Sequence, residues 1–166
     1  MRSMILTIRD ARPDELVEVG RVVSEAYVAD GALSYDDPYY RTLERAPLEA
    51  SGSQFLIAEL DGRLVGSVTW CPPGSSQREI ALPDEGEFRQ LAVLPDSRGF
   101  GIARQLVEAC LGRAKDIGLS AVVISSAPWM TTAHALYEDL GFVALPERDW
   151  SPRPEVELTT FRHDLS

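Results

Sequence analysis

Apolar and polar positions along this chain recur with two periods, one typical of helices and one typical of strands. Helical spacing marks residues 13–27, where Pro13 opens the first turn, and residues 102–117, which Gly118 follows as a C-terminal cap. We predict helices at residues 13–27, 102–117 and 131–140, and a shorter one that begins near Asp37 and Pro38. Short β-rich runs predict strands at residues 4–9, 54–60, 63–71, 85–93, 119–125, 142–145 and 156–161.

Turn residues separate these segments. Asp61-Gly62 lies between two apolar runs, which is a strong hairpin signal, and prolines with Gly74 predict a loop at residues 72–83. Residues 119–125 form the unbroken apolar run that is typical of a strand covered on both faces. The order β-α-α-β-β-β-α-β-α-β-β predicts a mixed α/β fold, and the length favours a single domain over residues 1–166.

The composition restricts the partners and the location of the protein. The formal net charge is −10 and the isoelectric point about 4.6, which argues against nucleic acid or an anionic membrane as a partner. The charge is compatible with a cationic small molecule or a peptide amine. No apolar run reaches the length of a membrane span and no signal-peptide core is present, so we expect a cytoplasmic protein. Cys71 and Cys110 lie in apolar runs and are expected to be buried thiols.

Glycines between the strand at residues 85–93 and the next helix predict an anion site. Gly99 and Gly101 form a loop that leads into a helix N-terminus, where backbone N–H groups converge and the helix dipole favours negative charge. A nucleoside-triphosphate loop needs Lys-Ser/Thr after its last glycine, and here Ile102 and Ala103 follow. A dinucleotide fingerprint needs glycine or alanine at the position of Arg104, so it fits poorly.

Three motifs together carry a resemblance to a known family. RGFGIA at residues 98–103 fits Q/R-x-x-G-x-G/A, RQLAVLP at residues 89–95 is similar to RxLAV-P, and AHALYEDLGF at residues 133–142 is similar to AxxLYExLGF. Their order and intervals, over about residues 85–145, resemble those of the GCN5-related N-acetyltransferase (GNAT) family. The resemblance implies an α/β (α+β) fold with a mixed, mostly antiparallel sheet of about seven strands, about four flanking helices and a splayed strand pair that binds acyl-CoA.

The resemblance identifies the anion as acetyl-CoA, the acyl-donor cosubstrate, and implies no metal. The pantetheine arm is expected to bind main-chain groups of the strand near Leu91 and Val93. Arg98 and Arg104 are candidates for charge-assisted contacts to the phosphates. The residues expected to bind acetyl-CoA are Leu91, Ala92, Val93, Arg98, Gly99, Phe100, Gly101, Ile102, Ala103 and Arg104.

The resemblance also implies catalytic roles. Tyr137 is expected to protonate the departing thiolate, and Glu87 is a candidate general base for the amine. Glu85 is an alternative base, and His134 lies one helical turn before Tyr137 but is a weaker candidate. Met130 departs from the family, where many members have an asparagine whose amide contacts the cofactor, so this contact is expected to be absent or replaced.

Acceptor specificity in the family comes from two regions, which correspond here to residues 27–40 and 146–154, the second with Trp150. The candidates for a pocket that binds a cationic amine are Asp30, Tyr35, Asp36, Asp37 and Tyr39. The function that the resemblance implies is transfer of an acetyl group from acetyl-CoA to a primary amine of a small molecule or peptide. A non-catalytic acyl-CoA-binding sensor or scaffold is the alternative. Family members often form dimers, so a homodimer is one expected assembly.

Overall fold

The computed structural model describes residues 4–165. The strands in this part of the chain are β1 (Leu6–Asp10), β2 (Gln54–Leu60), β3 (Arg63–Cys71), β4 (Glu85–Val93), β5 (Ala121–Ser126), β6 (Val143–Ala144), β7 (Trp150–Arg153) and β8 (Val156–Asp164). The α-helices are α1 (Leu16–Ala29), α2 (Pro38–Glu49), α3 (Ile102–Asp116) and α4 (Thr131–Asp139). Single 3₁₀ turns lie at Pro13–Glu15, Pro95–Ser97 and Pro146–Arg148. Among residues 4–165, no helix combines the length and apolar content that a bilayer crossing requires.

The strands form one mixed sheet in the order β1-β2-β3-β4-β5-β8-β6, with β7 paired to β8 beside this path. Within residues 4–165, only β4 and β5 run parallel, and the other pairs are antiparallel. The predicted α/β class, with a mostly antiparallel sheet and four helices, is confirmed.

The strand β7 is an element that the hydrophobic pattern did not predict. It lies within residues 146–154, the region that the resemblance implied for acceptor specificity, and its sequence, WSPR, contains Pro152, which cannot donate a backbone hydrogen bond. The strand pairs with β8 alone and therefore lies at an edge, where a missing N–H group costs no ladder bond. The sheet consequently has eight strands instead of about seven.

The strands β4 and β5 diverge after a short paired stretch. Their ladder contains only Glu85–Ala121, Gly86–Val122 and Glu87–Val123 within the described chain. From there β4 continues along β3, while β5 continues along β8 as far as Ser126. A gap therefore opens in the sheet toward the carboxyl ends of the two strands, as the resemblance implied.

A β-bulge bends β4 beside this gap. Ser67 faces Ala92 and Thr69 faces Arg89, so one residue of β3 lies opposite two residues of β4. Gln90, one of these two, has a φ of +56°, which is rare for a residue with a Cβ. The bulge thus interrupts the ladder at the residues that precede the glycine loop.

The register beyond the bulge determines which main-chain groups face the gap. The N–H of Leu94 donates to the carbonyl of Val65 at 2.8 Å, and the neighbouring register pair is Gly66–Val93. Hydrogen-bonded and non-hydrogen-bonded pairs alternate in antiparallel ladders. The N–H and C=O of Val93 therefore point away from β3, toward the gap.

The helix α3 packs closely on the sheet beneath the loop. Leu106, Val107 and Cys110 are fully buried in the main core, and Ile102 at the first turn is nearly so. Gly66 of β3 lies under this turn, and a Cβ there would come 3.2 Å from the side chain of Ile102. The close approach fixes the N-terminus of α3 relative to β3.

Both cysteines are buried free thiols, as predicted. Burial raises the pKa of Cys71 to about 11, and burial raises the pKa of Cys110 still further above its usual range. Neither thiol is therefore an available nucleophile at neutral pH.

Candidate active site

The glycine loop adopts a backbone conformation that residues with a Cβ rarely take. Gly99 has a φ of +88° and Gly101, the N-cap of α3, a φ of +74°. A Cβ at either position would meet no atom within 4 Å, so the positive φ, and not lack of space, requires glycine. The first N–H groups of α3 have no intrahelical acceptors, and the helix dipole adds positive potential at the same end.

A cavity of about 560 Å³ lies where this loop meets the end of β4 and the start of α4. Nine of the ten residues expected to bind acetyl-CoA line it, while Phe100 does not and is 46% exposed. The nine are Leu91, Ala92, Val93, Arg98, Gly99, Gly101, Ile102, Ala103 and Arg104. The structure thus brings the strand and the loop to one cavity, and the binding roles of these residues stay predictions.

Sequence reasoning overlooked several residues in the wall of this cavity. Ser97 belongs to it, together with Trp129, Thr131 and Thr132 at the start of α4. Trp129 is 55% exposed, and the large aromatic residue in the run SSAPWMTT, which precedes a helix, is the signal that points to it. Met130 also lines the cavity.

Both arginines of the loop are ion-paired. The Nε of Arg98 donates to the carbonyl of Val93 at 3.1 Å, and its Nη1 lies 2.7 Å from a carboxylate oxygen of Asp30. Arg104 pairs with Asp139 at the end of α4. Both guanidinium groups therefore belong to residues of the cavity wall and are ion-paired with acids at the ends of α1 and α4.

Tyr137 lies in an aromatic cluster between α4 and the sheet and is only 2% exposed. Its ring centroid is 5.8 Å from that of Phe88, 5.7 Å from that of Phe142 and 5.9 Å from that of Phe161. Burial raises the pKa of the hydroxyl far above its usual range, so the group is protonated at neutral pH. A protonated phenol is the form that a general acid requires.

Glu87 is buried within the sheet and organises the loop that precedes β4. One carboxylate oxygen accepts hydrogen bonds from three backbone N–H groups, those of Glu79 at 3.0 Å, Ile80 at 3.0 Å and Ala81 at 3.1 Å. The other oxygen has no hydrogen-bond partner among residues 4–165. Glu87 does not line the donor cavity. Its role as a base stays a prediction, and that role would involve the unpartnered oxygen.

Glu85, the alternative base, is held in an ion-pair cluster. Arg148 approaches both carboxylate oxygens at 2.9 Å, and the Nε of Arg162 lies 3.4 Å from one of them. Burial raises the pKa of Glu85, but the hydrogen bonds and charge of Arg148, the backbone N–H of Leu82 and Arg162 together outweigh it, so the pKa is lowered from its usual range. This carboxylate is therefore a poorer proton acceptor than an ordinary glutamate.

His134 contacts the end of β5 and not the donor cavity. Its Nε2 lies 3.1 Å from the hydroxyl of Ser126, and its ring packs on Phe161 with centroids 4.9 Å apart. The Ser126 hydroxyl also lies 3.7 Å from the sulfur of Met130. Met130, which stands where many family members have an asparagine, thus accepts a hydrogen bond through its thioether sulfur.

The residues expected to form an acceptor pocket are distributed over three places. Asp30 lines the donor cavity, whereas Tyr35 lines a separate groove of about 380 Å³ and donates to Glu25 at 2.9 Å. Asp37 caps α2 by accepting the N–H of Tyr39 at 2.9 Å. In the second region, the indole N–H of Trp150 donates to Ser125 of β5 at 2.9 Å.

Comparisons with known proteins identify the family. A sequence model described as the acetyltransferase (GNAT) family matches residues 21–142. The chain is similar to a mycothiol acetyltransferase of Cellulomonas flavigena, with 39% identity over 90 residues that cover 53% of this chain and 26% of the relative. It is also similar to the uncharacterized N-acetyltransferase YjgM of Escherichia coli, with 28% identity, 82% of this chain and 78% of that protein.

The fold itself occurs among solved structures. The chain is similar to the PaiA N-acetyltransferase of Thermoplasma acidophilum in complex with coenzyme A, with a TM-score of 0.70 and 16% identity over 96% of this chain and 99% of that one. The chain spans about a quarter of the mycothiol acetyltransferase, so that likeness concerns one part of the relative. The family match, in contrast, extends over most of this chain, from α1 through the glycine loop to α4. The chain belongs to the acetyltransferase (GNAT) family.

Proposed function

We propose that this protein transfers an acetyl group from acetyl-CoA to a primary amine of a small molecule or peptide. The observation that carries the proposal is the cavity in which the glycine loop, the N-terminus of α3 and the end of β4 meet. The relatives with acetyltransferase names, one of them an N-acetyltransferase, and the similar structure in complex with coenzyme A support it.

The chemistry of the cavity fits the donor. The positive φ of Gly99 and Gly101 directs the chain into the N-terminus of α3, which favours a pyrophosphate. The main-chain N–H and C=O of Val93 face the gap, where an amide-containing arm such as pantetheine binds as an added strand does. The cavity has a volume of about 560 Å³, which lies in the range of small-molecule sites.

The proposed reaction is a direct transfer. The amine nitrogen forms a bond to the thioester carbonyl carbon, and the carbon–sulfur bond of the resulting tetrahedral intermediate breaks. The sulfur leaves with the electron pair of that bond and receives the proton of the Tyr137 hydroxyl. The amine loses one proton, which Glu87 is proposed to accept directly or through a water molecule.

Free-thiol release on incubation with acetyl-CoA and a panel of primary amines tests the proposal. At least one amine is expected to accelerate the release and to appear as its acetylated product. Binding of coenzyme A by calorimetry, without acceleration by any amine class, would instead favour the sensor or scaffold function. If the protein does not bind coenzyme A, acetyl-CoA is not its acyl donor.

A pair of glycine substitutions connects this test to the cavity. Gly101→Val forces a β-branched residue to a φ of +74° and is expected to abolish coenzyme A binding. Gly112→Val is the matched control, because a Cβ at this later position of α3 meets no atom within 4 Å. Equal coenzyme A affinity in the two variants would contradict the assigned cavity.

A further inference from the structure

Asp30 and Arg98 form an ion pair in the wall of the donor cavity, and this ion pair has no part in the proposed reaction. Nη1 of Arg98 lies 2.7 Å from Oδ1 of Asp30, and Nε of Arg98 donates to the Val93 carbonyl at 3.1 Å. Asp30 is the C-cap residue of α1, and all three residues line the cavity. The guanidinium is thus attached to a helix and a strand at once.

These two contacts leave most of the guanidinium available. A guanidinium group has five N–H donors in one plane; Nε of Arg98 donates to the Val93 carbonyl and Nη1 is ion-paired with Asp30, so neither contact engages Nη2. Because they hold the group at two points, the plane cannot turn freely and the remaining donors have a fixed direction. A planar donor set of this kind matches the oxygens of a phosphate.

The ion pair contributes little as a stabilising element of the fold. The side chains of Arg98 and Asp30 are 41% and 39% exposed, and ion pairs in such positions are weak. Fixing a flexible side chain before a ligand arrives, however, lowers the ordering cost of binding. The pair therefore has more effect on a ligand of the cavity than on folding.

We propose that Asp30 is a positioning residue for the acyl donor: it holds the Arg98 guanidinium against the cavity so that the free N–H groups meet a phosphate of acetyl-CoA. The inference rests on the proposed function, which supplies the phosphate. It replaces the expectation that Asp30 binds a cationic amine, because Arg98 at 2.7 Å already neutralises this carboxylate. Asp30 acts through Arg98 and does not touch the donor.

A double-mutant cycle on coenzyme A affinity tests the inference by calorimetry. Arg98→Ala is expected to weaken binding about tenfold, as loss of a charge-assisted hydrogen bond does. Asp30→Asn is expected to weaken it about fivefold by releasing the guanidinium. In the Arg98→Ala background, Asp30→Asn is expected to cause no further weakening, because the residue that it positions is gone.

Two controls isolate the positioning role. Pantetheine, which lacks phosphate, is the second probe, and its affinity is expected to be the same in the parent protein and in Asp30→Asn. Glu49→Gln changes an exposed acid at the end of α2 and is expected to bind coenzyme A as the parent does. Thermal unfolding of each variant shows that the fold is retained.

Three results would overturn the inference. Tighter coenzyme A binding by Asp30→Asn would mean that Asp30 competes with the phosphate for Arg98, and unchanged binding would mean that Asp30 has no effect on the donor. An equal loss in the Arg98→Ala background would mean that Asp30 acts on something else. Equal losses for pantetheine and coenzyme A would exclude a phosphate. A parent protein that binds no coenzyme A would instead remove the proposed function, so the two failures are distinguishable.

Discussion

The ring of Tyr137 meets the ring of Phe88 edge to face, with centroids 5.8 Å apart and an interplanar angle of 67°. The contact joins α4 to β4, and Phe142 and Phe161 surround the same ring. Aromatic packing therefore fixes the ring, and the hydroxyl is available for a separate task. Because burial raises the pKa of Tyr137, the hydroxyl is protonated at neutral pH, which is the state that the proposed role as a proton donor requires.

Tyr137→Phe separates these two parts of the side chain. The ring contacts remain, so we expect the midpoint of thermal unfolding and the affinity for coenzyme A to stay close to those of the parent. Turnover is expected to fall about 100-fold, since the sulfur departs without a proton donor. Thiol release at saturating acetyl-CoA and amine measures the change.

Tyr35→Phe is the matched control for this substitution. It also removes a phenol hydroxyl, but from an exposed ring that contacts Tyr40 and donates to Glu25. Tyr35 lines a groove apart from the donor cavity, so this variant is expected to keep its turnover at saturating amine, and a role of Tyr35 in the acceptor pocket would change only the KM for the amine. A Tyr137→Phe protein that turns over as fast as the control would exclude Tyr137 as the acid.

Glu87 combines a structural contact with its candidate role as a base, and two substitutions separate them. In Glu87→Gln the amide oxygen still accepts the N–H groups of Glu79, Ile80 and Ala81, so unfolding is expected to be little affected while turnover falls. Glu87→Ala leaves the three N–H groups without their acceptor and is expected to lower the free energy of unfolding by about 2–4 kcal/mol. Urea titration and thiol release give the two readouts.

Glu157→Gln, at an exposed position of β8, is the control for the loss of one carboxylate. If Glu87→Gln retains full turnover, Glu87 only holds the loop and a different group or water accepts the proton. If Glu87→Ala unfolds at the same urea concentration as the parent, the three hydrogen bonds contribute nothing measurable.

The glycine loop and the following helix could be predicted because their determinants are local. A positive φ at Gly99 and Gly101 and the apolar spacing of α3 are properties of a few consecutive residues. The divergence of β4 from β5 was implied by family resemblance alone, since no side-chain pattern marks where a parallel ladder stops. Local sequence therefore predicted the glycine loop and the helix after it, whereas the neighbouring gap was inferred by analogy.

Contacts between residues distant in the chain account for what the sequence did not indicate. Arg98 pairs with Asp30, 68 positions earlier in the sequence, and Trp150 donates to Ser125 of another strand. The periodicity of either segment is unaffected by these partners. The same holds for Glu85, whose partner Arg148 lies 63 positions away and converts a candidate base into an ion-paired group.

The indole ring of Trp70 packs so closely on residue 86 that only glycine fits there. A Cβ at residue 86 would lie 2.3 Å from the indole ring and 3.0 Å from the side chain of Leu119. Gly86→Ala is therefore expected to lower the free energy of unfolding by about 1–3 kcal/mol through overpacking. Combination with Trp70→Phe removes the obstructing ring atoms, so the added cost of the alanine is expected to shrink.

Gly112→Ala provides the contrast, since a Cβ on this helical residue meets no atom within 4 Å. It is expected to raise the free energy of unfolding by about 0.5–1 kcal/mol. An equal cost of Gly86→Ala with and without Trp70 would show that the ring is not the obstacle.

The pair of Glu85 and Arg148 predicts a stability difference that depends on pH. The pKa of Glu85 is lower in the folded protein than its ordinary value, so this carboxylate stabilises the fold above the unfolded-state pKa of about 4.3, and the contribution is lost as the pH falls through the folded-state pKa. Arg148→Met leaves a carboxylate that is 3% exposed without its main partner. We expect a loss of about 3 kcal/mol at pH 7.

That loss is expected to shrink as the pH falls, because Glu85 without Arg148 takes up a proton at a higher pH than Glu85 of the parent does, and the protonated carboxyl needs no cation. Urea unfolding at a series of pH values between about 3 and 7 measures the difference. Arg153→Met is the control, since Arg153 pairs with Glu155 where both side chains are mostly exposed, and its effect is expected to be small at every pH. A loss for Arg148→Met that is constant across this range would show that the packing of the arginine, and not its charge on Glu85, stabilises the fold.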